Sequence, residues 1–95
     1  MPYHLMPDAQ LVQRMAAGDR GAGAELCVRH RLSMYAQLYV ALVDPEVAER
    51  LVAETFDQAW RAAGQFDPRA GSALKWLSEI ARSLAARWRA STSRR

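Results

Sequence analysis

An all-α fold, a compact bundle of about four helices, is what this sequence predicts, and three observations carry the prediction. Apolar residues recur at intervals of three and four through residues 24–43, 45–63 and 73–90. Between these stretches stand cap and breaker residues: Gly18-Asp19, Asp44-Pro45, and the run from Pro68 to Ser72. No window alternates apolar and polar residues as a half-buried strand would.

The first helix is expected to take Asp8 as its N-cap, to run through Leu11, Val12 and Met15, and to stop at Gly18. It is short and needs packing to be stable. A second helix follows the cap Asp19. Gly21 and Gly23 weaken its first turns, each by about 1 kcal/mol relative to Ala. From Ala24 to Val43 the residues Leu26, His30, Met34, Leu38 and Leu42 form one apolar stripe. Asp44 and Pro45 read as N-cap and first helical residue of a third helix. This helix runs to about Ala63 and is ended by Gly64. Its wide apolar face is Val47, Leu51, Val52, Thr55, Phe56, Ala59, Trp60 and Ala63, and its opposite face carries Glu46, Glu49, Arg50, Glu54 and Asp57. Phe56 and Trp60 are expected in the core, against the second and fourth helices. Residues 65–71 form a loop that Pro68 and Gly71 keep from being helical. Ser72 caps a fourth helix, reaching about Ala90, with Ala73, Leu77, Ile80, Ala81, Leu84 and Trp88 inward. Residues 1–90 thus make one domain, and 91–95 a frayed basic tail.

Apolar residues are 51% of the chain and charged residues 24%, a globular composition rather than a disordered one. Cys27 is the only cysteine, so neither an internal disulfide nor a zinc cluster is expected. The longest apolar stretch, Leu38 to Val43, is too short to cross a bilayer, and residues 1–10 lack the apolar core of a signal peptide. A soluble, cytoplasmic protein without cofactor or metal is expected. The net charge of +3 conceals an asymmetry. Residues 1–60 hold five Arg against eight acids, and residues 61–95 eight Lys or Arg against two. Such a split suits two different partners, the basic half meeting nucleic acid, although an Arg-rich surface can also simply solvate itself.

Catalysis is not expected. His30 sits on the apolar stripe as a packed or boundary residue, and Cys27 has no His or Asn at helical spacing, so a buried small hydrophobe is expected there. No phosphate-binding Gly-rich loop or metal-ligand spacing occurs. The fourth helix carries more chemistry. Lys75, Arg82 and Arg89 are spaced by seven and share a face, with Trp76, Ser83, Arg87 and Ala90 on a neighbouring one. Cations neutralise phosphates and an indole stacks on bases, as single-strand binding requires. The loop from Phe66 to Ser72 is placed to form a pocket for a base that has left the stack. The same pattern also describes a solvated face with a Trp packed beneath arginine stems.

In order along the chain stand Gly18-Asp19, Ala22 and Leu26; then Asp44-Pro45-Glu46-Val47-Ala48-Glu49-Arg50-Leu51-Val52-Ala53-Glu54-Thr55-Phe56 and Ala59-Trp60-Arg61; then Phe66-Asp67-Pro68, Gly71-Ser72 and Trp76-Leu77-Ser78-Glu79-Ile80-Ala81-Arg82. This ordered set, spanning roughly residues 9–90, resembles region two of the extracytoplasmic-function sigma factors. The resemblance implies a bacterial transcription initiation module with no enzymatic activity. Its third helix would dock on the clamp-helix coiled coil of the RNA polymerase β′ subunit, through Glu49, Arg50, Ala53, Glu54 and Asp57. The loop and fourth helix would bind the minus-ten promoter element as separated DNA, with one base held in the loop. Arg61, Phe66, Asp67, Arg69, Ser72, Lys75, Trp76, Arg82, Ser83 and Arg87 would form that face.

The sequence departs from the family pattern at several positions. Arg50 stands where Asp is usual and Ala53 where Gln is usual, both toward the clamp helices. Ser83 replaces the usual Asn, Arg87 the usual Asp, and Ala90 the closing Arg, with Arg89 one place early. Gly23 replaces an aromatic, an expected loss of core volume. The family's helix-turn-helix second domain falls outside the 95 residues, and Ser91 to Arg95 would begin the linker toward it. The departures at Arg50 and Ala53 leave a second reading open, a regulatory module whose main partner is an anti-sigma protein. A plain DNA-binding helix-turn-helix finds no support, since no short interhelical glycine turn of that kind is evident.

Overall fold

The computed structural model describes residues 2–93. Its four helices are α1 (Asp8–Ala16), α2 (Arg20–Leu42), α3 (Pro45–Ala62) and α4 (Ala73–Thr92), with single 3-10 turns at Tyr3–Leu5 and Ala63–Gln65. Leu11, Val12, Leu26, Met34, Leu38 and Leu77 are sealed from water at the centre of the bundle. Each such side chain contributes about 1.5–3 kcal/mol by its burial. Thr55 is the one buried polar residue among those described, and its hydroxyl donates to the Leu51 carbonyl at 2.7 Å. It therefore leaves no unsatisfied group in the core.

Most element ends follow the local chemistry. The Asp19 carboxylate accepts from the Ala22 amide at 3.2 Å, and α2 forms despite its early glycines. Asp44 accepts from the amides of Glu46 and Val47 at 3.1 and 3.2 Å, with Pro45 opening α3. Ser72 accepts from the Lys75 amide at 3.1 Å. Between α2 and α3 the chain reverses through Val43 at φ 52°, a left-handed conformation that a β-branched residue adopts only under strain.

Several expectations are corrected. Asp8 is the first residue of α1 and not its cap. Its carboxylate turns to α2, accepting from Arg29 at 3.0 Å and from His30 Nε2 at 2.7 Å. His30 is thus a boundary residue held by a partner. Helix α3 ends at Ala62, and its last turn tightens into the 3-10 turn that contains Gly64. Helix α4 continues through Thr92, whose hydroxyl donates to the Arg89 carbonyl at 3.1 Å, so Ser91 and Thr92 belong to the helix rather than to a frayed tail. Arg94 and Arg95 lie outside the described residues. Phe56 and Trp60 are half-buried at the α2–α3 seam rather than deep between α2 and α4. Ala48 and Ala59 hold fully buried positions on α3. The core volume that Gly23 was expected to forfeit is taken by the Trp60 indole, two carbons of which lie 3.3 Å from where a Cβ would stand.

The segment before α1 was not foreseen. Met6 is buried, and the Tyr3 ring lies on Gly21 so closely that a Cβ there would come within 2.5 Å of it. The Tyr3 hydroxyl donates to Asp19 at 2.6 Å, Arg14 Nε donates to the same carboxylate at 2.9 Å, and Arg29 donates to the Tyr3 carbonyl at 2.9 Å. These donors hold the Asp19 carboxyl down to about 2, the Tyr3 hydroxyl first and Arg14 second. The same contact raises the Tyr3 phenol above its ordinary value.

Candidate functional site

Two surfaces stand out. The first is the connection from α3 to α4. After the 3-10 turn, Asp67 organises a tight turn: its carbonyl accepts from the Ala70 amide at 3.0 Å and its side chain from the Arg69 amide at 2.9 Å. Pro68 stands second in this turn, where its fixed φ is favourable. Phe66 is thereby carried against Trp76 of α4, ring centroids 5.0 Å apart and planes tilted by 50°. The two rings form the wall of a pocket of about 180 Å³, completed by Gln65, Asp67, Ala70, Gly71, Ser72, Lys75 and Glu79. Apolar cavities of about 150 Å³ accept a benzene ring, so a planar heterocycle fits this volume.

Five of the residues assigned to DNA therefore converge on the pocket: Phe66, Asp67, Ser72, Lys75 and Trp76. Arg69 projects beside it, its side chain 91% exposed and paired with Asp67 at 3.3 Å. Arg61 is exposed near the end of α3. The remaining three do not gather with the pocket. Arg82 lies on the α2 side of α4, beside Gln37, Leu38 and Ala41. Arg89 lies there too and donates to the Ala41 carbonyl at 3.3 Å. Arg87 lies on the α3 side, beside Arg50 and Glu54, and Ser83 follows Trp76 by two turns on that shoulder. The row Lys75, Arg82 and Arg89 and the row Trp76, Ser83 and Arg87 thus occupy opposite shoulders of α4, meeting only at the pocket through Lys75 and Trp76. Ala70 and Gly71, inside the loop expected to form the pocket, line it too, as do Gln65 and Glu79, which had no distinctive signal in the sequence.

The second surface is the seam of α2 and α3. A groove of about 660 Å³ runs between Cys27, Arg31, Leu32 and Tyr35 on α2 and Glu49, Val52, Ala53, Phe56 and Asp57 on α3. Glu49, Arg50, Ala53, Glu54 and Asp57 are all exposed. The first, third and fifth rim this groove, while Arg50 and Glu54 turn toward α4. Cys27, expected to be buried, is half-exposed on the α2 wall, and partial burial raises its thiol above the ordinary value. The α2 wall continues as an apolar strip: Val28 is 71% and Leu32 75% exposed, Tyr35 and Tyr39 stack at 6.1 Å, and Val40 and Val43 are open to solvent. The sequence did carry this signal. Val28, Leu32, Tyr35, Tyr39 and Leu42 are spaced 4-3-4-3, a second apolar seam on a helix whose first stripe already faces the core.

The family model for sigma-70 region 2 matches residues 27–95. This chain belongs to the sigma-70 region 2 family. Its match therefore covers most of α2 and all of α3, the loop and α4, the elements that form both surfaces. Among curated proteins, the region 2 chain is 37% identical over 71 residues to the ECF RNA polymerase sigma factor SigK of Mycobacterium sp. (strain KMS), which is 75% of this chain and 37% of that one. It is 34% identical over 71 residues to the protein of the same name in Mycolicibacterium vanbaalenii, covering 75% of this chain and 36% of that one. The same identity and length hold for the Mycobacterium tuberculosis (strain ATCC 25177 / H37Ra) protein, of which 38% is covered. The chain thus spans a little over a third of the length of these relatives. No solved structure matches it significantly. Among the described residues, no group of three or more His, Cys, Asp or Glu could hold a metal ion, and no helix is long and apolar enough to cross a membrane.

Proposed function

We propose that this region 2 domain acts in bacterial transcription initiation, docking on the β′ clamp helices of RNA polymerase in the cytoplasm and holding the minus-ten element of the promoter as separated strand. The observation that carries this reading is the aromatic-walled pocket on the α3–α4 connection, with Lys75 at its rim. A base enters such a pocket only after leaving the stack, so capture in the pocket favours open DNA over duplex. Base stacking on the aromatic wall supplies affinity of about 1–3 kcal/mol without covalent chemistry, and the role is one of binding rather than catalysis. The exposed arc of α3, from Glu49 to Asp57, presents the acidic half of the chain to the polymerase, leaving the basic half for DNA.

Strand binding by fluorescence anisotropy, with and without core polymerase, tests the DNA half. Single-stranded minus-ten DNA should bind better than its duplex, more weakly as salt rises, and Trp76→Ala should weaken it while leaving most of the melting temperature. Equal affinity for both forms, unchanged by Trp76→Ala, would refute it. For the polymerase half, Glu54→Arg should weaken binding to isolated clamp helices, and Arg50→Asp with Ala53→Gln should strengthen it. If calorimetry finds neither change, α3 is not the docking surface.

A second reading is favoured by the exposed apolar strip Val28, Leu32 and Tyr39 on one face of α2, since contiguous exposed apolar surface marks interaction sites. In that reading the domain is a regulatory module, and an anti-sigma protein covers the α2–α3 groove. Absence of clamp-helix capture in a pull-down, with retention of the fold, would favour it.

A further inference from the structure

We propose that Glu79 of α4 makes the loop pocket selective for cytosine, by accepting from the 4-amino group of a base stacked on Trp76; this rests on the strand-binding reading above. The pocket holds two acids, Asp67 and Glu79. Asp67 is committed to its own turn, its carboxylate accepting from the Arg69 amide at 2.9 Å and from Arg69 Nε at 3.3 Å. No ion pair joins Glu79 to Lys75, although the two stand one turn apart on α4. The Lys75 stem lies instead over Gly71, its Cδ 2.9 Å from where a Cβ on that residue would stand. The lysine is thus turned toward the loop, where a phosphate can reach it, and the carboxylate is left for the base. Solvated acids are common on this chain, Glu49 and Glu54 among them. What sets Glu79 apart is its place: it follows Trp76 by three residues, so the two are neighbours on the helix surface and both line the pocket.

Size and hydrogen bonding then choose among the four bases. A cavity of about 150 Å³ accepts benzene, so a pocket of about 180 Å³ takes one six-membered ring with its substituents and leaves little for the second ring of a purine. A carboxylate only accepts. Cytosine presents an amino donor at C4, where thymine presents a carbonyl oxygen. Cytosine therefore gives Glu79 a hydrogen bond, whereas thymine sets two acceptors against each other and leaves the carboxylate without a partner. The Ser72 hydroxyl, whose oxygen accepts from the Lys75 amide at 3.1 Å, keeps its own proton to donate to the ring N3 or O2. Glu79 also repels phosphate, and that gives the proposal its sign. An acid that is merely solvated beside DNA weakens the binding of every strand alike. An acid that reads the base favours one strand and disfavours another.

The experiment uses the 95-residue chain, with and without core polymerase, and short fluorescent thymidine strands carrying one variable base at the centre, with binding read by anisotropy. A central cytosine should bind about fivefold to twentyfold more tightly than a central thymine, and adenine or guanine no better than thymine. With 2-pyrimidinone at the centre, which is cytosine without its amino group, the advantage should vanish. Glu79→Gln should bring the cytosine-to-thymine ratio close to one, since an amide both donates and accepts; it should weaken the cytosine strand and strengthen the thymine strand. The 2-pyrimidinone strand needs no altered protein, so it carries the test if Glu79→Gln fails to fold. The proposal is overturned by a parent chain indifferent to the central base, or by one that prefers a purine. It is equally overturned if the 2-pyrimidinone strand binds as tightly as the cytosine strand, or if Glu79→Gln shifts every strand by the same factor. Where any of these occurs and Trp76→Ala still weakens binding, the pocket reading survives without this inference. If the parent chain binds no strand, or if Trp76→Ala leaves both affinity and cytosine preference untouched, both fail.

Discussion

Replacing Gly21 and Gly23 by alanine, one at a time, should change stability in opposite directions although the two residues are only two positions apart. Each replacement relieves the backbone entropy of a helical glycine, a gain of up to about 1 kcal/mol. At Gly23 the new methyl would lie 3.3 Å from two atoms of the Trp60 ring. That ring borders an open groove shared with Met15, Arg20, Phe56 and Asp57, so it can move outward by a few tenths of an ångström. The gain is then largely kept, and for a domain of this size a gain of 1 kcal/mol raises Tm by about 4–8 °C. At Gly21 the methyl would lie within 2.5–2.6 Å of three Tyr3 atoms, the hydroxyl oxygen among them. No small adjustment relieves that overlap. Tyr3 must leave, and with it go its hydrogen bond to Asp19 and its cover over α2. Gly21→Ala should therefore lower Tm. Thermal unfolding followed by circular dichroism reads both signs, and a Tyr3→Ala background completes the cycle, since Gly21→Ala should become stabilising once the ring is gone. If Gly21→Ala raises Tm as much as Gly23→Ala in the parent chain, the Tyr3 segment is not packed on α2 as described.

Three further outcomes follow from the packing and the caps. Leu77→Ala, at a fully buried site, should cost about 2–5 kcal/mol in a denaturant melt, whereas Phe56→Ala should cost less, about 1–2, because part of its ring already meets water; equal costs would contradict the assignment of Phe56 to the seam. The Asp19 carboxyl is depressed from 3.8 to about 2, so its contribution is complete above 3.8 and is lost as pH falls through 2. Tyr3→Phe should raise the Asp19 titration midpoint in carboxyl NMR and move acid unfolding to higher pH, and an unmoved midpoint would show that the hydroxyl does not hold the carboxylate. Val43→Gly should stabilise by about 1 kcal/mol, because glycine takes the left-handed cap without strain and the valine is 72% exposed; a loss of stability would mean that Val43 makes contacts that outweigh the strain.

The helices, their number and most of their ends were legible in the sequence because they depend on neighbours within four residues. Asp19, Asp44 and Ser72 cap α2, α3 and α4 through amides two or three positions ahead, and Pro45 opens α3. The inward stripe of α4 repeats every three or four residues and proved buried from Ala73 to Leu84. The pocket loop was legible for the same reason: Pro68 and Gly71 interrupt the helices, and Phe66 and Trp76 flank the break. Asp8 was misread because its type suits a cap, while the groups it holds, Arg29 and His30, come from a different helix.

By itself, then, the sequence determined an all-helical chain with an acidic first part, a basic last part and an aromatic pair across one loop. Only the tertiary structure decided which flank of each helix is covered. A helix leaves several shoulders open to a partner, and spacing alone does not say which one a neighbouring helix will occupy. Packing α2 and α3 on either side of α4 sent Arg82 and Arg89 to one shoulder and Arg87 to the other, beside Arg50. The same packing left the second apolar seam of α2 outside the core, and laid Trp60 and Tyr3 on two glycines that looked like flaws in a helix. These contacts join residues 18 to 37 positions apart, and close approach in space between such residues is set by how the elements stack rather than by any local preference.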